Sequence, residues 1–145
     1  MGSKPTGAAV ILLACFLAAP PVDAQSGRAP TSRIGDELQG TSWQAESVDG
    51  KPVADPSSMT LEFLPGDQVR GQAGCNRYVG PFASRGDRVT LGILRASRAE
   101  CPPAQAAMQK QLIDQLHGAA RGELVDGDLI FHGRHGEQIH FTRRR

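Results

Sequence analysis

The sequence predicts an α+β fold: a small antiparallel, incomplete β-barrel or strongly curved sheet closed by one amphipathic helix. Three observations predict it. Short apolar/polar alternations recur between turn signals, as in Met59, Leu61, Phe63 and in Val89, Leu91, Ile93. The 17 glycines and 10 prolines of the 145 residues are spread through the chain and punctuate those segments. One stretch, Met108, Leu112, Ile113, Leu116 and Ala120, changes to helical spacing between two sets of strands. Roughly eight short strands are expected.

The first 24 residues read as a secretory signal peptide. Lys4 precedes an apolar run from Ala8 to Ala19, then Pro20-Pro21, then Val22-Asp23-Ala24 with small residues where a signal peptidase reads. The run is short of the about 18–20 residues that a permanent bilayer span needs. Leu12-Leu13-Ala14-Cys15 offers a rival reading as a lipoprotein box that would acylate Cys15 and tether the domain to a membrane. Residues 25–35 have little to bury and read as a flexible linker. Residues 36–143 then form one domain, since about 110 residues suffice for one core and not for two.

Within the domain, Asp36 to Gln39 forms one helical turn before a strand over Thr41 to Val48. That strand carries the single tryptophan, Trp43, a core anchor before it is a ligand platform. Asp49-Gly50 is a turn and Pro52 to Ser58 a loop; Met59, Leu61 and Phe63 then mark a half-buried strand that Pro65-Gly66-Asp67 turns back towards Val69. Tyr78 to Ala83 follows as a strand interrupted by Gly80-Pro81, a pair suited to an edge or a bulge. After a turn over Ser84 to Asp87, Val89, Leu91 and Ile93 share one face, with Thr90, Gly92 and finally Leu94 on the other.

Pro102-Pro103 suits a helix entrance, because a proline at the first position loses no intrahelical bond. The helix runs to about His117, whose place near the end suits the helix dipole, and it buries Met108, Leu112, Ile113 and Leu116. Gln109, Lys110, Gln111, Asp114 and Gln115 fill its polar side. Asp126-Gly127 makes a two-residue hairpin that sets Leu124 opposite Leu129. For the last turn, a three-residue loop ending in Gly136 sets Phe131 against Ile139 and Leu129 against Phe141, so every large residue faces one way; a two-residue loop would not.

The densest signal is the turn from Gly71 to Gly80. Gly71 and Gly74 permit positive φ or close backbone approach, and Asn76 can bond its own backbone in an Asx-turn. Cys75 and Cys101 are the only cysteines left after cleavage at Ala24, and an even pair in an exported chain favours a disulfide. Two separate buried thiols, or a reactive thiol or metal half-site, are the other readings. No neighbouring His or Lys activates a thiol, and the spacing lacks the short pairs of structural zinc sites.

Gly40-Thr41-Ser42-Trp43, then Gly71 with Gly74-Cys75-Asn76, Tyr78, Gly80 and Phe82, then Ser97 and Cys101-Pro102 before a helix, together resemble the META domain, the HslJ-like heat-shock family. The likeness spans about Leu38 to Phe141. It implies a barrel-like envelope domain without established enzymatic activity, akin in fold to secretion pilot lipoproteins, some of which hold an acyl chain in a cracked barrel. The family often has a glutamate where this chain has Gln109.

The formal charge of +1 lacks the basic excess of an electrostatic nucleic-acid binder, and Arg143-Arg144-Arg145 reads as a solvated end. The chosen final register puts His132 and His140 on one outward face as diagonal neighbours, near enough to suggest a shared metal, yet no third ligand with suitable spacing accompanies them. With Asp128 and Glu137 nearby, acid–base catalysis gains no better support. The expectation is therefore an exported, monomeric, non-catalytic binding or interaction module, in the periplasm or secreted, which the resemblance to the HslJ-like family links to stress tolerance. It has no cofactor, metal or nucleic-acid partner, and its partner is an envelope protein or an apolar ligand. A lipid or apolar ligand carrier and an inhibitor of an extracellular hydrolase are the alternatives.

Overall fold

The computed structural model describes residues 1–3, 7, 33–117 and 121–145. The cleavage site, Cys15, most of the linker and Ala120 lie outside these. Helix α1 (Ile34–Leu38) is followed by β1 (Ser42–Val48), β2 (Lys51–Pro52), a 3-10 turn (Pro56–Ser58), β3 (Met59–Leu64) and β4 (Gln68–Ala73). Then come β5 (Asn76–Arg85), β6 (Arg88–Leu91), β7 (Arg95–Ala96), α2 (Pro103–Leu116), β8 (Arg121–Val125), β9 (Asp128–His132) and β10 (Gln138–Arg143).

The barrel is closed, which corrects the expectation of an incomplete one. Antiparallel pairing runs β1-β3-β4-β5-β6-β8-β9-β10, and β10 returns to β1 with Trp43 opposite Arg143 and Val48 opposite Ile139. The closing pair joins the first and last long strands of the domain, a contact that no local pattern announces. The fold is also mostly β with two helices, not one. The backbone N–H of Ile34 donates to Gly86 O at 3.0 Å and Gly35 abuts Ser84, seating α1 over one mouth of the barrel. Helix α2 covers the other. Ile34 and Gly35, counted with the linker in sequence, are buried in α1.

Eight strands enclose an interior that side chains can just fill, and here they fill it. Trp43, Phe63, Tyr78, Phe131 and Phe141 are fully buried with Leu61, Leu129 and Ile139 around them. Phe63 packs edge-on to Phe82 at 5.1 Å and Phe131 to Phe141 at 6.0 Å between ring centroids. Two glycines make room for these rings. Gly71 lies opposite Tyr78, whose ring occupies the space a side chain would take: a Cβ on Gly71 would fall 2.5 Å from the ring and 2.0 Å from Thr60 O. Gly122 lies opposite Phe131, where a Cβ would fall 2.7 Å from both Phe131 and Val89.

The registers of the hairpins follow the expected chemistry. Asp126 and Gly127 both take positive φ and set Leu124 opposite Leu129. In the last hairpin, Gly133 N donates to Glu137 O at 2.8 Å, leaving the three-residue loop Arg134-His135-Gly136 and the pairs Phe131 with Ile139 and Leu129 with Phe141.

Around β5 and β6 two expectations fail, for one reason. Ile93 does not continue the buried face of Val89 and Leu91 but stands 68% exposed, while Leu94 is buried. Gly80-Pro81 lies not at an edge but within a ten-residue strand paired to β4 on one side and to β6 and β7 on the other. Gly92 N donates to Pro81 O, and the chain between β6 and β7 then steps across Gly80, where a Cβ would meet Leu94 at 2.7 Å and Ile93 O at 2.8 Å. That step breaks the two-residue period and puts the proline where the ladder is already interrupted.

Gly71→Ala is expected to destabilise the fold by about 1–3 kcal/mol, the cost of overpacking a core, because the carbonyl of Thr60 cannot swing aside as a flexible side chain would. Denaturant unfolding measures it, and an unchanged midpoint would refute the account.

Candidate functional site

The residues singled out by sequence gather mainly at the end of the barrel beneath α2. Gly74 begins the two-residue β4–β5 turn with φ 61°, and a Cβ there would fall 3.2 Å from Gln105 O of α2. Cys75 completes that turn and is bonded to Cys101 just ahead of the helix. Of the three readings of these cysteines, the structure adopts the disulfide.

Asn76 is buried beside the disulfide, and its amide is saturated. Oδ1 accepts from Ser97 Oγ at 2.8 Å and Ala99 N at 2.7 Å; Nδ2 donates to Ala99 O at 3.2 Å and Gln109 Oε1 at 2.8 Å. The expected local Asx-turn is therefore replaced by bonds across more than twenty residues. Gln109 supplies here the acceptor oxygen that a carboxylate would supply equally well, so the departure from glutamate keeps the contact.

The rest of the motif is also accounted for by packing. Gly40 takes φ 74° and donates its N–H to Phe63 O at 2.8 Å. Thr41 Oγ1 accepts from Trp43 Nε1 at 2.7 Å while donating to Leu38 O, so threonine and tryptophan pin α1 to β1. Arg143 lies over the Trp43 ring at 5.8 Å. The Tyr78 hydroxyl donates to Thr60 O at 2.7 Å, and burial pushes its pKa up, so it stays a neutral donor. Gly71 and Gly80 provide close approach as described above.

One anchor was not legible beforehand. Asp49, read only as part of a turn, takes φ 52° and directs its carboxylate at three donors. Gln111 Nε2 and Gln115 Nε2 of α2 reach Oδ2 at 2.8 and 2.6 Å, and Gln138 N reaches Oδ1 at 3.0 Å. Desolvation raises the Asp49 pKa, but the Gln138 N–H, the two glutamine amides and Lys51 together outweigh it and hold the carboxyl below its ordinary range. The available signal was a pair of glutamines at i and i+4 on one helix face.

Beside this anchor an open cleft of about 610 Å³ runs between α2, the step after β6 and the last hairpin loop, lined in part by Ile93, Gln115, His117, Arg134, His135 and Glu137. Glu137 Oε2 accepts from His135 N at 2.9 Å, and its own backbone N–H, together with that bond, holds its pKa down; it shapes the loop and remains ionised. His117 Nδ1 faces Leu94 N at 3.4 Å. His132 and His140 do share an outward face as expected, but each turns to a carboxylate: His132 Nε2 to Glu123 at 2.8 Å and His140 Nε2 to Asp128 at 3.0 Å. Among the described residues no group of three or more His, Cys, Asp or Glu is arranged to hold a metal.

A closed, filled barrel with a stapled helix at one mouth defines a small β-barrel domain. The chain belongs to the META domain family, whose pattern matches residues 36–145. It is similar in fold to a protein from Burkholderia xenovorans solved by NMR, with TM-score 0.63 and 23% identity over 77% of this chain and 86% of that one. A second NMR structure gives TM-score 0.56 and 21% identity over 73% of this chain and 92% of the other. The chain matches no curated protein.

Two outcomes are expected from this end of the barrel. Reducing the disulfide should lower stability by about 3 kcal/mol in the chain-entropy account, read as a fall in the denaturant midpoint with dithiothreitol; no fall would show the bond to be idle. Because the folded Asp49 pKa is depressed, its contribution is present above the unfolded aspartate range and lost as pH falls through the folded value. The stability gap between wild type and Asp49→Asn, a residue that tolerates positive φ, should shrink on acidification, whereas a pH-independent gap would contradict it.

Proposed function

We propose that this chain is an exported, non-catalytic META domain protein of the bacterial cell envelope, linked to stress tolerance, that acts by binding partners on its outer surface. The observation carrying this reading is the filled interior: Trp43, Phe63, Tyr78, Phe131 and Phe141 occupy the space that an apolar cargo would need. An acyl-chain carrier on this fold would have to displace those rings, at several kcal/mol per aromatic side chain. The filled interior thus favours an interaction module over a ligand carrier. The disulfide fits an oxidising compartment, and the N-terminal apolar run fits export to it.

Native mass spectrometry of the protein extracted from its own host tests this. A chain beginning at Gln25, free of small-molecule adducts, with two thiols alkylated only after reduction, is the expected result. A co-purifying lipid at one equivalent would overturn the surface reading, and turnover in a broad hydrolase screen would overturn the non-catalytic one. A chain beginning at an acylated Cys15 would replace the soluble form with a membrane-tethered one.

A further inference from the structure

The formal charge of +1 conceals a barrel whose walls differ in kind. On the outer face of β4, β5 and β7, Val79 is 52% exposed and lies directly between Arg70 and Arg95, its cross-strand partners, with Arg77 two residues along β5. Glu62 neutralises Arg70 through two bonds of 2.7 and 3.0 Å. Arg77 and Arg95 are exposed, and among the described residues no carboxylate pairs with their side chains. Further along the same wall Arg85 stands directly opposite Arg88, with only Asp87 at 3.9 Å from Arg88 as relief. Like charges in direct register destabilise a sheet. An external anion would turn that cost into a contact.

The geometry points to this arginine wall as a docking face for an anionic lipid bilayer, with the guanidinium groups on headgroup phosphates and Val79 at the level of the interface. Guanidinium forks suit phosphate oxygens, and an exposed aliphatic residue ringed by cations suits the boundary between headgroup and acyl chain. The inference deepens the surface-binding reading above and rests on it.

Two other occupants fit less well. A second copy would have to offer free carboxylates, but Glu123 and Asp128 of β8 and β9 are already engaged by His132 and His140, Arg121 also lies 3.9 Å from Glu123, and Glu46 accepts from Thr142 at 3.0 Å. A single-stranded nucleic acid would want aromatic faces to stack on, and every aromatic side chain of the described barrel is buried.

The test uses the exported chain carrying Cys15→Ala and isolated as the form beginning at Gln25, so that neither an acyl anchor nor the apolar N-terminal run contributes, in co-sedimentation with equimolar phosphatidylglycerol/phosphatidylcholine vesicles and with pure phosphatidylcholine vesicles. Binding is expected on the anionic vesicles alone and should fall with added salt. Arg77→Gln with Arg95→Gln should weaken it by about fivefold per arginine, while Arg77→Lys with Arg95→Lys should retain most of it and Glu123→Gln with Asp128→Asn should not weaken it. Thermal unfolding confirms that each variant is folded. Equal binding to both vesicles, no binding, or binding indifferent to the arginines would overturn the inference. Arginine-dependent dimerisation, or tighter binding to a single-stranded oligonucleotide in the same salt, would remove the lipid as occupant yet leave the surface reading standing.

Discussion

The pairing of β10 with β1 is the constraint from which most of this structure follows. Once Trp43 lies beside Arg143 and Val48 beside Ile139, the sheet has no free edges along its main ring, and its circumference sets the interior volume. Six large aromatic side chains then compete for that volume. Glycine opposite an aromatic is the means of relief, at Gly71 beneath Tyr78 and at Gly122 beneath Phe131. Closure also leaves two open mouths, and each helix covers one.

The two helices are secured differently. Helix α1 is short and held by backbone bonds and by the Thr41–Trp43 link, so its position depends on the glycine-threonine corner before β1. Helix α2 arrives after a long irregular stretch and is fixed at three places: covalently at Cys101, through the Asn76–Gln109 amide pair, and through the two glutamines on Asp49. Leu112 and Leu116 supply the apolar contact between those anchors. A helix so tethered has little freedom to lift away from the barrel.

Much of this was legible in the sequence where the determining physics is local. The Asp126-Gly127 turn, the three-residue loop ending in Gly136 and the extent of α2 follow from turn chemistry and periodicity, and the structure keeps all three. Legibility ended where one segment had to accommodate another. Ile93 left the buried face because the chain crosses Gly80, and Gly80-Pro81 sits mid-sheet because that crossing interrupts the ladder. At the candidate site, the residue types were recognisable but their partners were not: Asn76 found Gln109 thirty-three residues on, and Asp49 found glutamines more than sixty residues away.

By itself, then, the sequence determined the mostly antiparallel strands, their turns, one amphipathic helix and membership in a family, because alternation, helical spacing and turn residues act over a few positions. Only the tertiary structure decided that the barrel closes, that its interior is full and that Cys75 meets Cys101. It also decided how charge is distributed, since a balanced total says nothing of direction. Strand order and the two-residue alternation of side chains place the arginines of β4 to β7 on one wall and the histidine-paired carboxylates Glu123 of β8 and Asp128 of β9 on another. That segregation exists only once strands distant in sequence lie side by side.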